Sequence, residues 1–326
     1  MINIEFEVSL IAILLLSVLV LAILLTGGGI AAILGFSFKS FFLKGLWAFS
    51  LPFLLVLWGS LIERNWYRVR RIEIVSASIP ENFDGYEIAQ ISDIHLRSFA
   101  HRHGSLENAV RKTNALHADA IVFTGDMVTF KSDELDGCES IIGKLSAPDG
   151  VISVMGNHDY CHYGDFPSDS DRLKSEKDLM ARERKMGFDL LLDDHLDIVR
   201  GNDRISFIGV ENISASKHFQ SSGNLEKALQ GAEGTYKILL SHDPTHWDME
   251  VHNHKDIGLT LSGHTHAMQF SLFGFCPARF AFKEYRGLYK YRNQSLYVNI
   301  GLGETIFPAR IGARPEITLI TLKRLR

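Results

Sequence analysis

Cysteine is scarce in this chain of 326 residues, limited to Cys138, Cys161 and Cys276. Their spacing matches no zinc motif, and an odd count closes no disulfide framework. That argues against a disulfide-stapled secreted scaffold and for a reducing compartment. Positive charge is not in excess either. The 34 Lys and Arg stand against 38 Asp and Glu, a formal −4, so no global basic field speaks for nucleic acid. Internal repeats and low-complexity linkers are missing too. Charge itself is absent from Val8 to Phe38, and a second apolar run goes from Leu46 to Ile62. The chain after Arg64 has the composition of an ordinary soluble protein.

VSLIAILLLSVLVLAILL, Val8 to Leu25, is long enough to cross a hydrocarbon core as a helix. A signal peptide would need a basic start. Here the start carries Glu5 and Glu7, so the segment is expected to be retained. Thr26 to Gly45 reads as a Gly-rich break and a short connection. LWAFSLPFLLVLWGSLI is the second expected span. A membrane helix tolerates Pro52, and Trp47, Trp58 and Trp66 suit an interface. Two spans, over 8–25 and 46–62, place both ends on one side. Arg64, Arg68, Arg70 and Arg71 assign that side to the cytoplasm by the positive-inside rule, against Lys39 and Lys44 between the spans. The expected organisation is a multi-pass membrane anchor over 1–70 and a catalytic domain over 71–326, facing the cytoplasm from the inner membrane.

The soluble part holds short apolar runs of strand length, many rich in β-branched residues. RIEIVSA reads as an edge strand. YEIAQISDIHL, IVFTGD, VISVMGNHD, ISFIGVEN, KILLSHDP, GLTLSGHTH, LYVNIGLG and EITLITL follow. Helical patterns lie between some of them. SLENAVRKTNALHA has Ser105 as expected N-cap. DELDGCESIIGKL, DRLKSEKDLMARERKMG with Gly187 as its stop, and NLEKALQGA are the others. Strands alternating with helices predict an α/β sandwich, sheet inside and helices outside.

Polar residues gather where these strands end. They are Asp93 and His95, Asp126, then Asn157, His158 and Asp159, then His242 and Asp243, and finally His264 and His266. In open α/β sheets ligands collect beyond the carboxyl ends of strands. Carboxylates, imidazoles and one amide, with no thiolate, suit divalent Mn, Fe or Zn and argue against a structural zinc site. Residues two apart on a strand share a face, so Asp93 with His95, and His264 with His266, can each chelate one ion or reach two neighbours. A single such His is more often structural. The whole set together is not.

The order DIH, GD, GNHD, a lone His and GHTH resembles the calcineurin-like metallophosphoesterases from Asp93 to His266. The tail GLGETIFPARIGARPEITLITL is similar to the membrane-associated bacterial branch of that family. The resemblance implies a sandwich of two central β-sheets flanked by helices, here behind N-terminal transmembrane helices. It implies that Asp93, His95 and His266 hold one divalent ion, that Asn157, His242 and His264 hold a second, and that Asp126 bridges both. His158 would face the substrate and protonate the leaving group, and Asp159 would orient it or fix the turn. Two cations offset the charge of a phosphodiester and activate a water near neutral pH.

Other residues carry weaker expectations. Arg97, two after His95, faces either a phosphate or solvent. Arg286 and Arg310 stand open in the same way. His101 and His103 read as surface, His246, His252 and His254 as loop residues, and Asp243 as shaping the turn before Pro244. Two departures from the family stand out. GDMVTFK lacks the GDxxDRG of protein phosphatases, and AMQF follows GHTH where membrane-branch relatives have Gly. The expected activity is hydrolysis of a phosphodiester or pyrophosphate, at a bilayer if the substrate is lipid-linked or a nucleotide sugar. Hydrolysis of UDP-diacylglucosamine, known in the wider family, would need an apolar groove beside the metals, lined by Phe270, Phe273, Phe275 and Phe280. The rival from another class is a metal-binding membrane scaffold or sensor without turnover.

Overall fold

Two six-stranded sheets lie face to face because most of their strands are apolar on both sides. The computed structural model describes residues 2–325, with side chains from Glu7 onward; Met1, Arg326 and the Glu5 side chain lie outside that description. The first sheet is built from β1 (Arg68–Ser76), β2 (Glu87–Ile91), β3 (Ala120–Phe123), β4 (Val151–Ser153), β5 (Phe188–Leu190) and the late β12 (Glu316–Arg324). Its order is β1-β12-β2-β3-β4-β5. The second contains β6 (Asp194–Arg200), β7 (Asp203–Gly209), β8 (Tyr236–Leu240), β9 (Ile257–Ser262), β10 (Gly287–Tyr291) and β11 (Gln294–Val298), in the order β10-β11-β9-β8-β7-β6.

Strand alternation divides each run between two cores. Ile88, Val122 and Ile152 of the first sheet meet Phe207, Ile238, Leu240 and Leu261 of the second. Their neighbours Ala89, Ile121 and Phe123 face outward and are covered by α4 (His103–Asn114), α5 (Glu139–Ile142) and α6 (Asp169–Lys185). Parallel pairing of β2, β3 and β4, and of β7, β8 and β9, points all their carboxyl ends the same way. Polar ties lock the two sheets at that end. Buried Gln90 donates from Nε2 to the Ser262 carbonyl at 2.9 Å and to Thr124 Oγ1 at 3.1 Å.

Several local expectations are corrected. The Gly-rich stretch is no break. Helix α1 (Ile2–Ile33) runs through it and turns only at Gly35, with φ +84°. Gly27 and Gly28 are notches instead, because a Cβ at Gly28 would lie 2.8 Å from the Phe38 ring. The second apolar stretch is longer than expected. It comprises α2 (Phe38–Gly45), a 3-10 turn and α3 (Ser50–Leu61). Both stretches, Glu7–Ile33 and Phe38–Asn65, are long and apolar enough to cross a membrane. Ser105 is not an N-cap, since α4 begins at His103. Its hydroxyl instead bonds Asn65 Oδ1 and Tyr67 Oη, each at 2.7 Å. DELDGCESIIGKL is broken at Gly137, φ +80°, into a 3-10 turn and the short α5. The α6 expectation holds: Ser168 accepts from the Asp171 N–H as N-cap, and Gly187 follows the last turn with φ +90°. Strands β5, β6 and β10 had no counterpart in the sequence reading.

The end of α3 is stitched to the domain. Glu63 Oε1 accepts from the Gly312 N–H at 2.8 Å. Arg64 forms a two-point ion pair with Glu304 at 3.1 and 2.9 Å and donates to the Pro308 carbonyl at 3.1 Å. Trp66 is covered by the Arg314 guanidinium, 3.8 Å from its ring centre. Gly59 lets the helix approach, since a Cβ there would lie 2.7 Å from the Arg310 carbonyl oxygen. Gly59→Val should therefore lower the stability of the detergent-solubilised protein by about 1–3 kcal/mol. Chemical unfolding of both proteins checks it, and equal midpoints would mean that this helix does not dock.

Candidate metal centre

Each chemistry-bearing residue sits just past a strand end, in a loop rather than on the strand. β2 stops at Ile91, β3 at Phe123 and β9 at Ser262. The shared-face argument for Asp93 with His95 and for His264 with His266 is thus replaced by another geometry. Asp93, His95, Asp126, His264 and His266 all have left-handed backbones, with φ from 45° to 74°. Such residues cost about 1–3 kcal/mol each and persist where the surroundings hold them. Ile94, between the first pair, packs into the hydrophobic core, and Thr265, between the second, donates to the Tyr285 carbonyl.

Glycines give the carboxylates room. A Cβ at Gly156 would lie 2.2 Å from Asp126 Oδ1, and one at Gly263 would lie 2.3 Å from Asp93 Oδ2. From the last residue of GHTH onward, the four successive residues His266 to Gln269 are left-handed, with φ between 48° and 56°. Gly would adopt this freely. Here Gln269 holds the loop instead, donating to the Ala309 carbonyl at 2.8 Å and accepting from the Thr305 N–H at 2.8 Å.

The expected ligands converge in three overlapping groups, each with its donor atoms within 4.8 Å of one another: Asp93, His95 and His266; His95, Asp126 and His158; Asp126, His242 and His264. One oxygen, Asp126 Oδ2, lies 3.5 Å from His95 Nε2 and 3.1 Å from His242 Nε2. Asn157 Oδ1 joins the third group, 2.8 Å from His264 Nδ1. His242 Nδ1 donates to the Thr124 carbonyl at 2.7 Å, across the sheets, and so turns Nε2 to the centre. His264 presents Nδ1, because its Nε2 faces Asp243 Oδ2 at 3.7 Å.

Lone pairs crowd here. His95 Nε2 lies 3.1 Å from His266 Nε2, and His242 Nε2 lies 3.3 Å from His264 Nδ1. Nitrogen lone pairs that close repel unless positive charge lies between them. The carboxylates, imidazoles and amide oxygen have the donor character of divalent transition-metal ligands. Charges respond to the same crowding. Burial alone would raise the Asp126 carboxyl, but His242, His158 and His95 outweigh it and hold it well below the usual range. Burial would lower His242, yet the Asp126 carboxylate raises it to about 10, so His242 shares a proton with Asp126 that a cation bound there would displace. Burial pulls His95 and His264 down, into the neutral form that can ligate.

His158 stands beside these groups, its ring edge-on to His95 at 4.8 Å and 4.4 Å from Tyr163 between centroids. Its Nδ1 donates to the Thr129 carbonyl at 2.7 Å, which leaves Nε2 as the free position. Asp159 does not supply that orientation. Its fully buried carboxylate accepts from the N–H groups of Asp126, Met127, Val128 and Gly156, at 2.7–3.2 Å. Burial and the Asp126 charge push its proton affinity up. Four donors around it leave no acceptor for a proton, so the ionised form fits. Asp159 therefore fixes the turn, and Thr129 holds His158.

Among the described residues, the other expectations resolve geometrically. His246 is buried between Ser241 and Glu250, and His252 stacks on Tyr291. His254 lies near Glu226. Arg286 donates to Ser271 Oγ at 2.7 Å. Arg97 lines a cavity that Thr129 and Phe130 also line, with its guanidinium over the Phe130 ring at 5.1 Å, and exposed His101 borders the same cavity. Asp243 Oδ1 accepts from the Thr245 N–H, so it does shape the turn. Phe273 and Phe280 are 104% and 76% exposed, so they are neither core nor a closed groove. Sequence reasoning missed Thr129 and Tyr163. It left Arg310 open, which proves fully buried, its Nη2 3.3 Å from His266 Nδ1 and donating to the Ile300 carbonyl, its Nε and Nη1 donating to the carbonyls of Gly303 and Ala313.

The family model for calcineurin-like phosphoesterases matches residues 86–268. The chain belongs to that family. This metallophosphoesterase is 32% identical to a "Transmembrane protein with metallophosphoesterase domain" of Danio rerio, over 79% of its own length and 57% of the relative's. It thus spans little more than half of that relative. It is 31% identical to the uncharacterized metallophosphoesterase YkuE of Bacillus subtilis (strain 168), over 77% of its own length and 83% of the relative's. It is 27% identical to the UDP-2,3-diacylglucosamine pyrophosphatase LpxG of Chlamydia trachomatis serovar D, over 77% and 88%.

Asp159→Asn tests the turn. The amide would set an NH2 group against backbone donors, so the metallophosphoesterase should lose about 1–3 kcal/mol of stability and hold less divalent metal. Denaturant titration and elemental analysis would show both. A variant with native stability and metal content but depressed turnover would instead return Asp159 to a catalytic role.

Proposed function

We propose that this metallophosphoesterase is a membrane-anchored hydrolase of a phosphodiester or pyrophosphate bond. Asp93, His95 and His266 would hold one divalent ion, and Asn157, His242 and His264 a second. Asp126 would be shared. The observation that carries this reading is the single oxygen Asp126 Oδ2 within 3.5 Å of donors in both groups. Bound there, two ions of Mn, Fe or Zn would offset the negative charge of the phosphate and activate a water. The chain's own residues do the rest. His158, held through Nδ1, offers Nε2 to the leaving oxygen as an acid. Asp159 keeps the Asp126 loop in place, and the Arg310 guanidinium, held by the carbonyls of Ile300, Gly303 and Ala313, packs against His266. Arg97, which lines the adjoining cavity, would meet an oxygen of the substrate.

A lipid-linked or nucleotide-sugar substrate is the finer reading. Two long apolar helices and exposed Phe273, Phe280 and Ile306 favour a site that works at a bilayer. A relative named for cleavage of UDP-2,3-diacylglucosamine supports it at a distance. The arginines from Arg64 to Arg71 favour a cytoplasmic domain, with the anchor over 1–70.

The test uses full-length protein in detergent, stripped and reloaded with Mn, acting on bis-p-nitrophenyl phosphate. Turnover should require the metal. His158→Ala should keep both ions while kcat falls about 10²–10⁴-fold. Asp126→Asn should lose turnover together with metal. Two bound ions without turnover on any phosphoester would favour a scaffold, and failure to bind metal would sink the reading.

A further inference from the structure

A cavity of about 320 Å³ lies between the end of α3 and the metal-ligand loops. Four parts of the chain build it. Arg64 comes from just beyond α3, Ser98 and Arg102 from the segment after His95, and Ile306, Phe307 and Pro308 from the loop ahead of Arg310. Thr129, from the fourth, joins it to the candidate centre, because this residue lines the cavity while its carbonyl holds His158.

The two sides of the cavity differ in chemistry. On one, the Glu304 carboxylate lies between two guanidiniums, with Arg64 Nη2 and Arg102 Nη2 both at 2.9 Å. One carboxylate balances one of them. The remaining positive charge is sheltered, since the two side chains are only 14% and 18% exposed. A sheltered charge without a counterion is costly and draws an anion. Most N–H groups of Arg64 and Arg102 are given to Glu304, to Asn65 Oδ1 and to the Pro308 and Ser98 carbonyls, which leaves one Nη1 N–H on each guanidinium for a further acceptor. The other side is apolar, and Ile306 there is 68% exposed. Both flank the exit of an apolar helix.

We propose that this cavity binds the anionic head of an amphiphile, a phosphate group carrying an acyl chain. Arg64 and Arg102 meet the phosphate, and Ile306 and Phe307 meet the first methylenes. The inference rests on the hydrolase reading in one respect: a substrate whose bond is cleaved beside His158 would place its neighbouring part here. Arg64 belongs to the anchor side, so a domain cut at Arg71 lacks one wall of the cavity.

The test is calorimetric titration of full-length protein in detergent, Mn-loaded and metal-stripped, with dihexanoyl phosphatidic acid, dihexanoylglycerol and inorganic phosphate. The phosphatidic acid should bind both forms. Arg64→Gln should weaken it about tenfold, the loss expected for one charge-assisted hydrogen bond. The neutral lipid and free phosphate should each bind more weakly than the phosphatidic acid by a similar factor. Phosphate binding as tightly as the lipid would overturn the amphiphile, and binding that vanishes on metal removal would assign it to the metal centre. If Arg64→Gln lowers the melting temperature, Arg102→Gln and Ile306→Asp probe the two walls separately, and unchanged affinity in both overturns the proposal. Absence of Mn-dependent turnover with lipid binding intact would sink the hydrolase reading and leave the cavity site standing.

Discussion

Repulsion among like donors governs this molecule. Carboxylates and imidazole nitrogens are forced within about a hydrogen bond's length of one another at the junction of two sheets, largely out of water. Carboxylate and imidazolium attract, but the close pairs of imidazole nitrogens, His95 with His266 and His242 with His264, gain nothing from their own nearness. The left-handed backbones at Asp93, His95, Asp126, His264 and His266 are held against their preference, and the surrounding structure supplies the force. Asp159 pins the Asp126 loop through four backbone N–H groups, Arg310 braces the His266 loop, and Gln269 ties the strained turn beyond it. Positive charge between the donors turns this opposition into binding, which is how a preorganised cation site is made.

Much of the arrangement was legible in the sequence because strand ends and donor types are local signals. DIH, GD, GNHD and GHTH each carry their own glycine or apolar run, and the glycines match places where a Cβ would strike a carboxylate. What escaped was long-range. That Thr129 orients His158 depends on a main-chain carbonyl, which leaves no mark on residue type. Of the two roles left open for Asp159, orienting its neighbour or fixing the turn, the geometry favours the second, and the sequence did not show that its oxygens turn to backbone 31, 32 and 33 residues back. The Gly-rich stretch after Leu25 looked like a turn because glycine disfavours helices in water. In an apolar hairpin the same glycines let aromatic rings approach. Strands β5 and β10 are short or exposed, and their alternation is too weak to read.

The apolar helices and the site share residues instead of merely sharing a chain. Gly59, Glu63 and Arg64 contact the loop from Glu304 to Gly312, and Arg310 of that loop reaches His266. A shift of α3 would be felt two contacts later at a proposed metal ligand. The exposed aromatics of the 270–280 segment lie on a loop that bridges to Ile311 through Phe270, so they belong to the same block.

The position of β12 has a consequence for biosynthesis. This strand follows every ligand motif in the sequence, yet it sits inside the first sheet, parallel to β1 and antiparallel to β2. While the ribosome is still making the region beyond GHTH, β1 and β2 have no common neighbour and the sheet is split. The apolar helices emerge first and can partition into lipid long before that gap closes. Pairings so distant along the chain form slowly. The nascent domain would therefore wait, open and tethered, with its acid and imidazole loops in place but unsupported until the last strand slides between its two earliest ones.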